Sequence, residues 1–283
     1  MARLRPAPEV SAKTNRAARL ELGARAARTA RLARLFGQHP RAIELEREAE
    51  ELKRRFNEAF WCAEIGSYAL ALDGRKQQCR VRTSNAGHAL FTGIADEAYA
   101  HVLGDTLLSQ NLFNGWGIRT VASNEARYNP MSYHNGSVWP HDNSLIAAGL
   151  SRYGFAGKAL RILSGLFDAS AVMDLHRLPE LFCGFARIGG HAPTLYPVAC
   201  SPQAWASGSV FLLLQSCLGL SFSPEKPQLR FQHPVLPDYL QWLEIRNLRV
   251  AGGALDLKLT RYALDVGINI IRKDDNVEIA VFV

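Results

Sequence analysis

The chain has 283 residues, of which 48% are hydrophobic and 21% charged, and this balance is typical of a folded globular protein. Its formal net charge of +7 is confined to residues 1–34, which hold nine Lys/Arg and two Glu, so the rest of the sequence is neutral. A neutral folded region lacks the basic surface that nucleic-acid binding needs, so we expect no nucleic-acid partner. A helical binder that uses the basic start is the weaker alternative, and it predicts affinity that falls steeply with salt.

The five cysteines include no CxxC pair and lie in apolar surroundings, which favours reduced thiols and a cytoplasmic protein. The sequence has no run of about 18 apolar residues and no secretory signal, so we expect no membrane partner. The eight histidines form no HExxH helix or other metal-ligand pattern. We therefore expect neither a metal nor another cofactor.

Apolar residues recur at helical spacing through the first three quarters of the chain. Residues 12–36 have helical composition but little apolar stripe, whereas the segment from Arg41 to Phe60 is clearly amphipathic. The amphipathic face holds Leu45, Ala49, Leu52 and Phe56. Gly154 separates two helices that should form a hairpin. The spacing predicts further helices over about 94–112, 141–153, 155–171 and 202–218.

From about Gln228 the apolar period changes to that of β-strands. The alternating apolar positions are Leu255, Leu257 and Leu259, then Val266, Ile268 and Ile270, then Val277, Ile279 and Val281. Gly252-Gly253 and residues 273–276 separate these runs and are predicted to form hairpin turns. The sequence therefore predicts a mainly α protein followed by a small C-terminal antiparallel β cap with one buried face.

Long polar loops lie between the predicted helices, and loops of this length are uncommon unless they are functional. Rigid aromatic rings suit the C–H faces of a sugar, and amides and carboxylates suit its hydroxyls. The structural alternative is that Tyr128, Tyr133 and Trp139 only pack against one end of a helical core and contact no ligand. The candidate substrate contacts in these loops are Trp116, Tyr133, His134, Asn135, Trp139, His141, Tyr196 and Gln203.

Two carboxylates are candidates for chemistry. Glu180 lies in the apolar run LPELFCGF, where an acid is costly to bury unless it is paired or used, so we predict that it is a general base. A salt bridge to Arg177 or Arg187 is its structural alternative. Asp142 is the second candidate, although its place just after Pro140 also suits an ordinary first-turn acid.

Three segments carry a family resemblance: NPMSYHNGSVWPHDN at 129–143, LPELFCGF at 178–185 and YPVACSPQAWA at 196–206. They resemble the C-terminal half of bacterial amylo-alpha-1,6-glucosidase proteins, glycogen-debranching-like members of the six-hairpin glycosidases. The resemblance runs from about Leu35 to Val283, and its third segment adds Trp205 to the candidate substrate contacts.

This resemblance implies the second half of an (α/α)6 toroid over residues 35–222, followed by the β cap over 223–283, whereas residues 1–34 are atypical of the family. It also implies inverting hydrolysis of an alpha-glucosidic or related bond, with Glu180 as general base. The family's general acid is expected to be an aspartate upstream of Arg41, and residues 1–34 contain no Asp. We therefore expect a truncated or frame-shifted start and a chain that lacks this acid.

The expected function is thus a glycoside hydrolase of alpha-glucosidase or debranching type. Its expected partner is an oligo- or polysaccharide. The alternative is a non-catalytic saccharide-binding or scaffold protein that retains the cleft. A half-toroid would also expose apolar helix faces, through which the chain is expected to associate or form a homo-oligomer.

Overall fold

The computed structural model describes residues 16–223 and 226–282, and residues 16–25 of that span by their backbone only. The chain forms two compact units. Of the described residues, unit 1 contains 16–114 together with 118–138 and 183–185. Unit 2 contains residues 115–117, 139–182 and the chain from 186 onward. Residues 1–15 of the basic segment lie outside the described residues, and the boundaries of the three predicted domains remain predictions.

Unit 1 begins with two packed helices, α1 (Arg16–Leu35) and α2 (His39–Phe60). The predicted helix over residues 12–36 is confirmed from residue 16. Ala30 and Ala33 of α1 pack against Ala42 and Leu45 of α2, and all four are buried. Small alanine side chains allow two helix backbones to approach closely. The helix α1 can therefore pack against α2 although its apolar stripe is narrow.

The apolar face of α2 is confirmed, because Leu45, Phe56 and Phe60 are buried. The phenyl rings of Phe56 and Phe60 stack with their centroids 5.0 Å apart. The next segment contains two small hairpins and two further helices. Its elements are β1 (Trp61–Cys62), β2 (Ser67–Tyr68), β3 (Ala71–Leu72), β4 (Gln78–Cys79), α3 (His88–Thr92) and α4 (Glu97–Leu107).

The helix α4 is shorter than the predicted span of 94–112. Its first residue follows Asp96, whose side chain accepts a hydrogen bond from the Ala98 amide as an N-cap. After Leu107 the chain turns, and the Leu112 amide bonds the Ser109 carbonyl instead of continuing the helix. Polar residues 109–111 favour this turn, and apolar spacing alone gave no sign of it.

Three helices form the α part of unit 2: α5 (Pro140–Arg152), α6 (Ala156–Ala171) and α7 (Ala204–Cys217). Gly154 has a φ of +80°, so it turns the chain sharply after α5 and confirms the predicted hairpin with α6. The helix α7 packs against both α5 and α6. None of the described helices has the length and apolar composition needed to cross a bilayer.

The C-terminal part of unit 2 consists of β-strands, as predicted. Leu255, Leu257 and Leu259 are fully buried and belong to one apolar cluster, so the predicted core face of this region is confirmed. The strands β7, β8 and β9 form an antiparallel sheet with β8 in the middle. The strands are β5 (Ser221–Phe222), β6 (Gln228–Gln232), β7 (Trp242–Val250), β8 (Gly253–Arg261), β9 (Val266–Lys273) and β10 (Glu278–Phe282).

The prediction of one antiparallel sheet is wrong for the last strand. The strand β10 pairs in parallel with β6, and β5 pairs with the other edge of β6, so a second three-stranded sheet forms. Residues 273–276 are therefore not a hairpin turn between neighbouring strands. Ile270 is 52% exposed instead of buried, although its pairing partner Leu257 is fully buried, and it lies on β9, an edge strand of this sheet. Alternation identifies the buried face of a strand but not its partner.

The mainly α architecture with a C-terminal β region is thus confirmed, and the toroid remains a prediction.

Candidate functional site

Pro140 begins α5, because its fixed φ suits the first helical turn and its missing N–H would have no partner there. Trp139 therefore stands just before the helix, and His141 and Asp142 lie in its first turn. Asp142 is buried, at the end of the helix where the positive pole of the dipole stabilises a carboxylate. This placement fits the structural alternative for Asp142 and leaves a catalytic role as a prediction.

The start of α5 meets the start of α7 through aromatic rings. The imidazole of His141 stacks on the indole of Trp205, with centroids 4.4 Å apart and planes at 19°. Trp139 meets both rings at their edges, with centroids 5.5 Å from His141 and 6.2 Å from Trp205. We call Trp139, His141 and Trp205 the aromatic cluster. The structure thus brings together three of the predicted substrate contacts.

Glu180 is buried beside the segment that leads into α7. Its backbone N–H donates to the Cys200 carbonyl at 2.9 Å, and its Oε2 accepts a hydrogen bond from the Cys200 N–H at 3.2 Å. These reciprocal bonds orient the Glu180 carboxylate and hold it beside Cys200, which lies three residues before Gln203 in the sequence. Sequence reasoning did not select Cys200, because its contribution comes from the backbone and carries no side-chain signal.

Arg187 was a possible ion-pair partner for Glu180, and the structure shows it bound elsewhere. Its guanidinium pairs with Asp168 of α6 at 2.6 Å and lies 4.1 Å from the ring centroid of Trp116. One face of the buried Trp116 indole is therefore covered by a cation, although this ring was expected to contact substrate. Asp168 was not foreseen, because a single acid on a helix has no distinguishing pattern.

Two predicted contacts occupy the segment before α7. The side chain of Gln203 caps the helix by accepting a hydrogen bond from the Ala204 amide at 3.0 Å. The half-buried Tyr196 begins a turn in which its carbonyl accepts from the Ala199 amide. This turn and cap shape the path of the chain between Glu180 and Trp205.

The remaining predicted contacts, Tyr133, His134 and Asn135, lie in unit 1. Their loop is closed by its own hydrogen bonds: the Asn129 amide donates to the Asn135 carbonyl, and Ser137 Oγ donates to the Tyr133 carbonyl at 2.7 Å. The His134 and Asn135 side chains are exposed. The backbone thus supplies the shape of this loop and leaves its polar side chains at the surface.

A buried arginine organises unit 1 around the loop end at Gly184. Arg119 Nε donates to the Gly184 carbonyl at 2.6 Å, and Tyr128 Oη donates to the same oxygen at 3.1 Å. The Arg119 guanidinium also bonds the carbonyls of Gln110 and Asn111. Burial lowers the pKa of Arg119, and an arginine remains charged despite such a shift.

Gly184 also makes a backbone contact that admits no side chain. A Cβ atom at this position would lie 1.6 Å from the Gly136 carbonyl oxygen. The two glycines come from the segments HNGS and LFCGF, which sequence analysis had singled out separately. This contact requires a glycine at 184, whereas a Cβ at Gly136 would instead lie 2.7 Å from the Asn129 carbonyl oxygen.

No curated protein matches the sequence. Solved structures match it in fold. A protein named sialidase has a TM-score of 0.70 at 12% identity, over 92% of this chain and 25% of that chain. A GH78 family rhamnosidase of a Bacillus species has a TM-score of 0.65 at 17% identity, over 93% and 25% of the two chains.

A third structure, the GH63 mannosylglycerate hydrolase from Thermus thermophilus in complex with glucose, has a TM-score of 0.51 at 23% identity. It matches 69% of this chain and 43% of that chain. At these identities the three structures show a shared fold. The present chain spans a quarter to less than half the length of these proteins.

Residues 18–178, more than half of the chain, match the family described as mannosylglycerate hydrolase MGH1-like glycoside hydrolase domain. The matched span includes Trp139, His141 and Asp142 and ends just before Glu180. The predicted resemblance to glycosidases is confirmed at this level, and the finer assignment to amylo-alpha-1,6-glucosidase proteins stays a prediction. The chain belongs to the MGH1-like glycoside hydrolase domain family.

Proposed function

We propose that this chain supplies the general base and a sugar-binding wall of an inverting glycoside hydrolase that acts on alpha-glucosidic or related bonds. The observation that carries the proposal is the environment of Glu180: a buried carboxylate, oriented by the Cys200 amide, on the segment that leads to Trp205. Burying a carboxylate in an apolar run is costly, and a catalytic use accounts for it. The proposal includes an (α/α)6 arrangement, of which the described helices would form the second half.

In the proposed reaction Glu180 accepts a proton from a water molecule as the water oxygen attacks the anomeric carbon. The glycosidic C–O bond breaks, and the leaving oxygen takes a proton from a second carboxyl group. Inverting enzymes hold the two carboxyl groups about 6.5–9.5 Å apart, which leaves room for the water. Within this chain Asp142 is the candidate for this acid, since residues 1–40 contain no Asp.

The aromatic cluster supports a polyhydroxyl ligand. Trp205 is half-exposed at the start of α7, so part of its indole is available to the C–H face of a sugar. The family description adds mannosylglycerate to the alpha-glucosides as a substrate to test. Both are sugars joined through an anomeric oxygen, and both need the same pair of carboxyl groups.

The test uses the 283-residue chain and four substrates: maltose, isomaltose, glycogen and mannosylglycerate. Proton NMR of the first product formed should show an anomeric configuration opposite to that of the bond that was cleaved. A product of retained configuration would overturn the inverting mechanism. Absence of turnover with all four substrates would overturn the hydrolase proposal for this chain.

The second candidate function is saccharide binding without hydrolysis. It is favoured by the composition of residues 1–34, which contain no Asp in the region where the family resemblance places the acid. Titration calorimetry with the same four sugars separates the two candidates. Binding without any turnover supports this function, and turnover of any sugar excludes it.

A further inference from the structure

The antiparallel sheet of β7, β8 and β9 has one face packed on the apolar core, through Leu255, Leu257 and Leu259. The opposite face consists of two rows of directly paired residues. Paired residues in an antiparallel sheet project to the same side, so each row forms a continuous strip across the three strands. The rows are Trp242, Thr260 and Gly267, and then Glu244, Lys258 and Asn269. We call this face the sheet platform.

Two aromatic rings lie at opposite ends of the first row. Trp242 is 52% exposed, and Tyr262, which directly follows β8, is 54% exposed. A Cβ atom at Gly267 would lie 2.6 Å from Cε2 of Tyr262, so the tyrosine ring lies over this glycine. The strands that carry Trp242 and Gly267 are two strand spacings apart, about 10 Å. The platform thus presents two accessible rings with Thr260 between them.

The charges on and beside the platform are of both signs, two acids and three bases. Glu244 forms an ion pair with Arg246 at 2.7 Å, and Asp256 forms one with Arg272 at 2.9 Å. The ammonium of Lys258 lies over the Trp242 ring, 5.0 Å from its centroid, and so covers part of one ring face, whereas Trp242 as a whole is 52% exposed. A face of mixed charge has no strong field of one sign with which to attract an anionic polymer. It suits a neutral ligand.

We propose that the sheet platform is a second saccharide-binding surface, which holds a neutral polysaccharide. The Trp242 and Tyr262 rings would cover the C–H faces of sugar units along one chain, and Thr260 and Asn269 would bond their hydroxyl groups. The platform would bind sugar units along the length of a polymer chain. Hydrolysis is assigned to a different place, Glu180. This inference goes beyond the proposed hydrolysis and does not depend on turnover.

Affinity electrophoresis of the 283-residue chain in gels that contain glycogen, a mannan or a β-glucan tests the proposal. At least one polymer should retard the parent chain, and Trp242→Ala or Tyr262→Ala should weaken its apparent affinity about tenfold. Tyr239→Ala is the matched control, because this half-exposed ring stacks on Phe167 of α6. Its retardation should equal that of the parent.

Gly267→Ala tests the geometry without removing a ring. The added methyl group would displace Tyr262 from its place, so retardation should weaken while the unfolding temperature stays close to that of the parent. The double variant Trp242→Ala/Tyr262→Ala should retain parental hydrolysis of a soluble disaccharide. Polymer binding and disaccharide turnover are measured separately, so failure of one proposal is distinguishable from failure of the other.

Three results would overturn the inference: no retardation of the parent by any of the three polymers, parental retardation of the double variant, or equal loss in Tyr239→Ala. A concentration-dependent dimer that Trp242→Ala abolishes, without polymer binding, would assign the platform to a second copy of the chain and also overturn it.

Discussion

The imidazole of His141 lies almost parallel to the indole of Trp205, with ring centroids 4.4 Å apart and planes at 19°. This pair joins the first turn of α5 to the first turn of α7. Trp205 is 47% exposed, whereas the neighbouring Trp139 is 7% exposed. The cluster therefore consists of one accessible indole and one packed indole, and the two should respond differently to truncation.

Trp205→Ala should weaken saccharide binding about tenfold, because it removes the accessible ring face from the cluster. The unfolding free energy should change by less than about 1 kcal/mol, since half of the side chain already meets solvent. Titration calorimetry and urea denaturation measure the two effects. Phe211→Ala is a control on the same helix, with a ring that is 76% exposed. Equal loss of affinity in both variants would contradict a specific role for Trp205.

Trp139→Ala should lower the unfolding free energy by about 3–5 kcal/mol, the usual cost of truncating a buried tryptophan. Saccharide affinity should fall as well, because Trp205 loses the ring against which its edge packs. The affinity is measured at a temperature where the variant is folded. An unchanged dissociation constant would assign Trp139 to the core, as the structural alternative holds.

Glu180→Gln should reduce kcat by about 10²- to 10⁴-fold, the usual contribution of a general base, and leave substrate affinity within about twofold. Glutamine retains an oxygen that can accept the Cys200 N–H, so the local structure is preserved. Steady-state kinetics and calorimetry with the same sugar separate the two parameters. A comparable loss of both would indicate a structural role.

Asp142→Asn is the matched variant for Glu180→Gln. As an ordinary first-turn acid, Asp142 contributes about 0.3–1 kcal/mol to helix stability, and its replacement would leave turnover nearly intact. A fall in kcat as large as that of Glu180→Gln would instead make Asp142 the second catalytic carboxylate.

Gly184→Ala should lower the unfolding free energy by about 3 kcal/mol or more, because its Cβ would overlap the Gly136 carbonyl oxygen and force two backbone segments apart. Gly189→Ala is the control, since a Cβ there has no atom within 4 Å. The control should change stability by less than about 0.5 kcal/mol in urea denaturation. Equal effects of the two substitutions would refute the close approach.

Burial raises the pKa of the Cys217 thiol to about 12, so this thiol stays protonated at pH 8. Iodoacetamide at pH 8 should therefore modify the exposed Cys200 and spare Cys217, as read by peptide mass mapping. The neutral thiol is favoured in the folded state, so its contribution to stability is present below its ordinary pKa of 9.0 and is lost as the pH rises toward about 12. Modification of Cys217 in the native protein would contradict its burial.

Local patterns predicted the elements whose cause is local. The spacing of Leu45 and Phe56 located α2, Gly154 located the hairpin of α5 and α6, and the alternation at 255–259 located the buried face of β8. The exposure of Ile270 goes with the place of β9 at the edge of its sheet, and the partner of β10 is a strand far away in the sequence. Neither has a local signature.

The candidate site shows the same division. Sequence patterns placed Trp139, His141 and Trp205 in segments next to helix starts, but their contact depends on the packing of α5 against α7. The orientation of Glu180 depends on a backbone amide of Cys200, which any residue except proline could supply. Long-range packing and backbone donors are therefore the parts of this site that residue types alone could not indicate.

The parallel pairing of β6 with β10 constrains the order in which the protein can be made and folded. Gln228 and Glu278 pair across this ladder, 50 residues apart in sequence. A ribosome releases β6 well before it has synthesised its partner, so one edge of the strand stays open to other chains during translation. Folding of this sheet must wait until β10 has been synthesised, and nascent chains that stall before Glu278 should be the species most prone to aggregate.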